Sequence, residues 1–308
     1  MSALAFAIVA VLLSGPVPAM LARARWPLRA PRAVIVLWQS IALAAVLSAF
    51  SVGIDIASRL FISGQDGLPT TAFTGQIALL GWPLWAAYVT VFALTLTIGA
   101  RLIAAVFKVA IATRRRRAHH RMVVDLVGTS HARAPQLRIL GVTEPLAYCL
   151  PGVRGRIVVS EGALNTLAHS EVTAILRHEH AHLRARHDLV LEMFTAVHAA
   201  FPRFVRSAHA LAAVRLLIES LADDAAVRST GPAPLARALV ACASARAPIG
   251  ALAAGGPTTV TRVRRLGGKP NSLFIAAGAY GAAAAVLVIP TVALAVPWLT
   301  ELHRLFLT

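Results

Sequence analysis

Acidic residues are scarce: 13 Asp and Glu stand against 30 Lys and Arg, giving a net charge of +17 over 308 residues. Charge of either sign is scarce as well, at 14%, where a soluble domain carries about a quarter. That shortfall, with 57% hydrophobic residues and a mean hydropathy of +0.70, excludes an ordinary soluble globular protein and puts part of the chain in lipid. The remainder is long enough for one compact domain of roughly 100–200 residues. Cysteine is nearly absent. Cys149 and Cys242 form no CxxC pair and no zinc-knuckle spacing, and two are too few for a disulfide scaffold. They read as free thiols in a reducing compartment, which points to a cytoplasmic domain. There is no internal repeat.

The basic excess would attract something anionic, either nucleic acid or lipid headgroups. The run Arg114–Arg117, with His119, His120 and Arg121, directly follows an apolar stretch and lacks interleaved aromatics. It reads as an anchor on anionic lipid, and no direct nucleic-acid partner is expected.

Four stretches are apolar over the roughly 20 residues that a span requires: Ala3–Leu21, Val34–Ile54, Ile77–Ala100 and Leu273–Val296. Trp26, Trp38, Trp82, Trp85 and Trp298 fall near their ends, where an indole sits well at the headgroups. Arg23, Arg25, Arg29 and Arg32 lie between the first two spans, and the run from Arg101 to Arg121 follows the third. The positive-inside rule makes those segments cytoplasmic, leaving both termini and the loop around Asp55, Arg59 and Asp66 outside. The N-terminal stretch ends in small residues but lacks a positively charged n-region, so it reads as a span and not a cleaved signal. The expectation is a multi-pass plasma-membrane protein with three regions: 1–111 with three spans, 112–270 as a cytoplasmic domain, and 271–308 with the fourth span. Ala247–Thr259, rich in Ala and Gly, reads as a loose linker back to that span.

Chemistry concentrates in residues 170–186, Ser-Glu-Val-Thr-Ala-Ile-Leu-Arg-His-Glu-His-Ala-His-Leu-Arg-Ala-Arg. Ser170 suits an N-cap, Glu171 the positive end of the helix dipole, and Arg184 and Arg186 its C-terminal end. On this helix His178 and His182 stand four apart and project from one face. Two imidazoles so placed can bind one zinc, and Glu179 can reach a zinc-bound water as general base, the HExxH arrangement. His180 lies about 200° round the helix from each partner and is not a ligand.

A hydrolytic zinc needs a third protein ligand. The downstream candidates are His187, Asp188, Glu192, His198, His209, Glu219, Asp223 and Asp224. Asp188 and Glu192 would require the helix to end and fold back sharply. Glu219 and Asp223 share a helical face, so Glu219 can bind zinc while Asp223 holds the far nitrogen of a ligand histidine. Upstream, residues 144–160 read as two short strands joined by a Pro-Gly turn. The edge carrying Ala147, Tyr148 and Cys149 can hold an extended substrate by β-augmentation.

These residues resemble a known family. His178–His182 with Glu219-Ser-Leu-Ala-Asp223, the hairpin ahead of them and Arg186-His187-Asp188 behind are similar to the gluzincin membrane peptidases. Three spans, a zinc domain and a returning span resemble the BlaR/MecR-type antirepressor peptidases in a short form, without the extracellular penicillin-binding domain. The resemblance implies a mainly α membrane protein of about four transmembrane helices with a cytoplasmic α+β zinc-peptidase domain carrying a small β-hairpin. It implies one Zn2+ per chain held by His178, His182 and Glu219, Glu179 as general base, and Asp223 behind a histidine. The implied substrate is a cytoplasmic transcriptional repressor of BlaI/MecI type. The HtpX-type quality-control peptidases share the motifs but arrange their spans differently. A non-catalytic membrane scaffold and a membrane-tethered nucleic-acid binder are the remaining alternatives.

Overall fold

The computed structural model describes residues 2–61, 77, 81–131, 134–202, 207–243, 252–253 and 258–307. Helices dominate. Four are long and apolar enough to cross a membrane, Leu4–Arg23, Pro31–Gly53, Trp82–Val127 and Leu273–Ala293, one for each apolar stretch of the sequence. The loop expected around Asp66, and most of the segment read as a linker, lie outside the described residues.

The first of these is broken into α1 (Ser2–Ser14) and α2 (Pro16–Arg23), with Gly15 between them. Pro16 starts α2 because a first-turn proline has no amide bond to lose. After a single 3-10 turn, α3 (Pro31–Phe61) follows. Helix α4 (Trp82–Val127) runs for 46 residues, far past the end of its apolar stretch. No Gly or Pro interrupts residues 101–127, so nothing stops the helix before Gly128. Two glycines let α3 and α4 approach closely: a Cβ on Gly53 would collide with the Thr95 side chain, and one on Gly99 would lie 2.6 Å from the Phe50 ring.

A five-stranded sheet follows: β1 (Thr129–His131), β2 (Ala134–Leu140), β3 (Ala147–Leu150), β4 (Arg156–Ser160) and β5 (Leu252–Ala253), in the order β1-β2-β4-β3-β5. The expected hairpin is β3 against β4, antiparallel from Ala147↔Val159 to Leu150↔Arg156, while β2 and β4 are parallel. Alternation along β3 feeds two cores. Ala147 and Cys149 face α5 (Glu161–Thr166), α6 (His169–Arg184) and α9 (Pro232–Ala241). Tyr148 and Leu150 face Val124 near the end of α4.

Helix α6 begins two residues earlier than its sequence suggests, with Ala168 in place of Ser170 at the N-cap. Ser170 lies inside the first turn, and the Glu171 carboxylate instead accepts the Ala168 amide at 3.1 Å. The helix ends in a reversal at Arg186, whose φ of 50° is left-handed, and α7 (His187–Ala200) folds back along α4. Helix α8 (Ser207–Thr230) then serves both halves of the molecule. Its Val214, Leu217 and Ile218 pack with Val34 and Trp38 of α3 and with Ala279 and Ala283 of α11 (Leu273–Leu307). Its Ala226 joins the core beneath the sheet. Helix α10 (Thr259–Leu266) closes the domain, tied to α8 and to the first loop because Arg265 binds both Asp224 oxygens and the Leu28 carbonyl.

Candidate metal centre

Helices α6 and α8 pack face to face, and their contact carries the polar residues singled out in the sequence. His178, Glu179, His182 and Asp223 are fully buried, and the Glu219 side chain is 14% exposed. Three donor atoms converge. His178 Nε2 lies 3.2 Å from His182 Nε2, and the Glu219 carboxylate is 3.4 Å from the first and 3.6 Å from the second. Two ligands of a tetrahedral zinc at about 2.0–2.1 Å stand roughly 3.4 Å apart. The spacing therefore suits one zinc-sized cation, and these three residues are the only such group among the described residues.

Each imidazole is held from behind. His178 Nδ1 lies 3.0 Å from Asp223 Oδ1, and His182 Nδ1 lies 3.1 Å from His187 Nδ1. A proton on the far nitrogen leaves the Nε2 lone pair aimed at the donor cluster, the usual arrangement behind a metal-bound histidine. Burial, helped by the neighbouring histidines, lowers His182 to about 3 against the pull of Glu219. His187 falls to about 4, chiefly by burial. Both are neutral near pH 7, the form that offers a lone pair. His178 differs: burial alone would lower it, but Asp223 and Glu219 hold it up at about 9. Carboxylates so concentrated favour a cation between them, whether a proton or a metal.

Glu179 is fully buried, and neither of its oxygens accepts a conventional N–H or O–H hydrogen bond; its one polar contact of that kind is a weak one with the Cys149 thiol. Burial first, and the Glu219 charge second, raise its carboxyl to about 7, against the pull of His178 and Arg262. Orphaned buried oxygens are costly, and here they adjoin the donor cluster, where a reacting water would sit. Glu219 Oε2 also has no hydrogen bond, though Arg262 Nη1 stands 3.0 Å from it as an ion pair. The donor set and these unpartnered oxygens fit a zinc ion.

Arg262 completes the centre, and motif spacing gave no hint of it. Its guanidinium is 1% exposed and grips both Asp223 oxygens, through Nε at 2.8 Å and through Nη2. Burial would raise Asp223, yet Arg262 and His178 hold it far below the usual carboxylate range. One signal was available. Residues 259, 262, 263 and 266 form the inward stripe of α10, and Thr259, Arg262, Val263 and Leu266 all pack there. An arginine on an apolar stripe needs a buried acid.

Other candidates for the third ligand are placed elsewhere. Asp188 and Glu192 both bind Arg117, at 3.0 and 2.6 Å, so Arg117 is occupied inside the protein while Arg114, Arg115 and Arg116 are exposed. Asp224 pairs with Arg265, His209 is exposed, and His187 stands behind His182. His180 lines a surface groove of about 400 Å³ with Leu137, Ile157 and Leu176, away from the donors. His120 Nε2 lies 2.9 Å from the Tyr148 hydroxyl.

Ala147, Tyr148 and Cys149 are buried, and the β3 edge pairs with β5 through Tyr148↔Ala253 and Cys149↔Leu252. Both cysteines are free thiols. Burial and nearby carboxylates push Cys149 well up, and burial lifts Cys242 to about 11, so each stays protonated at neutral pH.

No curated protein and no solved structure matches the chain. A family model does: residues 112–269, just over half of the chain, match Peptidase family M48. That range takes in both helices of the donor cluster and the arginine that grips Asp223. The family's members are metallopeptidases and generally zinc-dependent, the chemistry for which these donors are spaced, and this chain belongs to peptidase family M48.

Proposed function

We propose that the protein is a membrane-bound zinc metalloendopeptidase that cleaves a cytoplasmic or membrane-adjacent protein, in signalling by proteolysis of a BlaI/MecI-type repressor. The observation that carries the catalytic part is Glu179, a buried carboxylate without a conventional hydrogen bond beside three converging donors. His178, His182 and Glu219 would hold the zinc, which when bound supplies a Lewis acid for the scissile carbonyl and a water of lowered pKa.

The chain's own residues do the rest. Glu179 takes a proton from the attacking water and later gives it to the leaving nitrogen. A carboxyl held near 7 both accepts and releases a proton at neutral pH. Asp223 and His187 fix the ring planes of His178 and His182, and Arg262 neutralises the acids around them. An extended substrate would lie along Ala147, Tyr148 and Cys149 through backbone hydrogen bonds, since their side chains are buried. Such pairing requires β5 to give up the edge that it occupies.

Orientation follows from charge. The long basic segment after Arg101 lies in the cytoplasm, and both termini lie outside. Support for a repressor substrate is the order of elements: three apolar helices, the zinc domain and a returning helix. A second reading, quality control of membrane proteins in the HtpX manner, is favoured by the shortness of α7. At 14 residues it keeps the donors about 20 Å from the Arg101 level.

Comparing the proteomes of cells that carry wild-type protein or Glu179→Ala, with metal analysis of both proteins, separates these readings. A single repressor left intact only in the variant supports signalling. Broad accumulation of misfolded membrane proteins supports quality control. Protein without zinc, and a variant with full cellular function, would leave only the scaffold.

A further inference from the structure

A cavity of about 570 Å³ opens between α1, α3, α4, α7 and α8. Its walls are apolar, built by Trp38 and Ala45 of α3, Leu94 of α4 and Phe194 of α7, among others. Arg101 is its one charged lining residue. The Arg101 side chain is exposed, and one guanidinium nitrogen donates to the Ala200 carbonyl at 3.0 Å. Its other N–H groups make no hydrogen bond to described residues.

Helix geometry sets the depth of this cavity. From Trp82, stacked on Trp85, to Arg101 is about 30 Å of helix, the thickness of a hydrocarbon core. Arg101 then stands at the headgroup level of the leaflet that faces the zinc domain. The lining residues of α3 run from Trp38 to Ala49, roughly 16 Å along the axis and close to the depth of one leaflet. A second protein helix, about 10–12 Å across, would need well over 1,000 Å³ across that depth. The cavity holds about half of that, a volume within the ordinary range for a small ligand.

We infer that this cavity is a binding site for an anionic phospholipid, with one acyl chain between α3 and α4 and the phosphate on Arg101. A guanidinium with spare donors at headgroup depth suits a phosphate, which it can bind through two parallel hydrogen bonds. The acyl chain removes the cavity's apolar walls from contact with water. The inference rests on the membrane reading above but not on peptidase activity.

The test uses full-length protein, delipidated in detergent and then offered equal phosphatidylglycerol and phosphatidylcholine, read by native mass spectrometry. The expected result is one phosphatidylglycerol per chain, kept about tenfold over phosphatidylcholine, because choline's ammonium already neutralises the phosphate that the two lipids share and weakens its charge-assisted contact with Arg101. Arg101→Gln should bring the two lipids to parity. Ala45→Phe, which fills the cavity, should lose both, and Ala49→Leu offers a milder obstruction should that variant misfold. Leu84→Phe, at an exposed site on the same α4, should retain lipid as wild type does. Equal retention of the two lipids by wild type, or undiminished retention by both filled variants, would overturn the proposal. Recovery of the chain in the soluble fraction without detergent would overturn the membrane reading as well, whereas membrane-extracted protein that keeps no lipid overturns the proposal alone.

Discussion

Two consecutive stretches of α8 are packed inside the protein by opposite means. Toward its N-terminus Val214, Leu217 and Ile218 disappear into contacts with α3 and α11. One residue later the helix carries Glu219 and then Asp223, buried among two histidines and Arg262. Apolar burial is roughly proportional to area, so a swap that conserves volume costs little. Charged burial depends on each partner, and removing one leaves the other uncompensated. The lesson is that tolerance to substitution along one helix is set by the kind of neighbour and not by depth.

The strongest test of that contrast is Glu179→Gln. It removes only the proposed proton acceptor and should lower kcat by about 10²–10⁴-fold, with zinc content and melting temperature kept, as read by peptide hydrolysis in detergent. Arg262→Met comes next. It should cost about 3–5 kcal/mol by taking the guanidinium from Asp223 and Glu219, whereas Leu217→Met in the apolar half should cost less than about 1.5 kcal/mol. Equal melting temperatures for these two variants would break the comparison. His187→Leu should weaken zinc binding by about 10–100-fold, measured by competition with a chelator, and leave the fold intact.

How far the centre was legible depends on spacing. His178, Glu179 and His182 lie within one turn and a half of one helix, and Glu219 and Asp223 repeat a four-residue step, so both could be seen in one dimension. Arg262 sits 39 residues from the acid that it grips, and no local rule links them. His187 stood among the possible ligands because it follows the motif, but only the left-handed turn at Arg186 shows that it backs His182. The hairpin was legible from the Pro-Gly turn between two short strands, whereas β5 is two residues long and carries no periodicity. The length of α4 was under-read because a change from apolar to basic composition looks like a boundary, while the backbone responds only to helix breakers.

The smallest effect concerns the start of α6. Glu171→Ala should cost about 1 kcal/mol by uncapping Ala168, since the paired Arg237 is 60% exposed and adds little. Hydrogen bonds from Arg237 and from the Ala168 amide lower the Glu171 pKa in the fold. Its contribution is therefore complete above the ordinary glutamate value of about 4.3 and fades as pH falls through the folded value. The melting-temperature gap between wild type and Glu171→Ala should thus be present at pH 7 and shrink at pH 4.

Because Ile218 seals the apolar cluster and Glu219 offers a donor, a single peptide bond separates the grip on the helix bundle from the proposed grip on a cation. A slip of one residue along α8 turns a side chain by about 100°, enough to take the Glu219 carboxylate away from the two imidazoles. Each arrangement of the bundle therefore has its own affinity for the ion, and by thermodynamic reciprocity the ion biases the bundle by the same free energy. A metal titration in different lipids then becomes a gauge of helix packing, read at the donor cluster and not in the bundle itself.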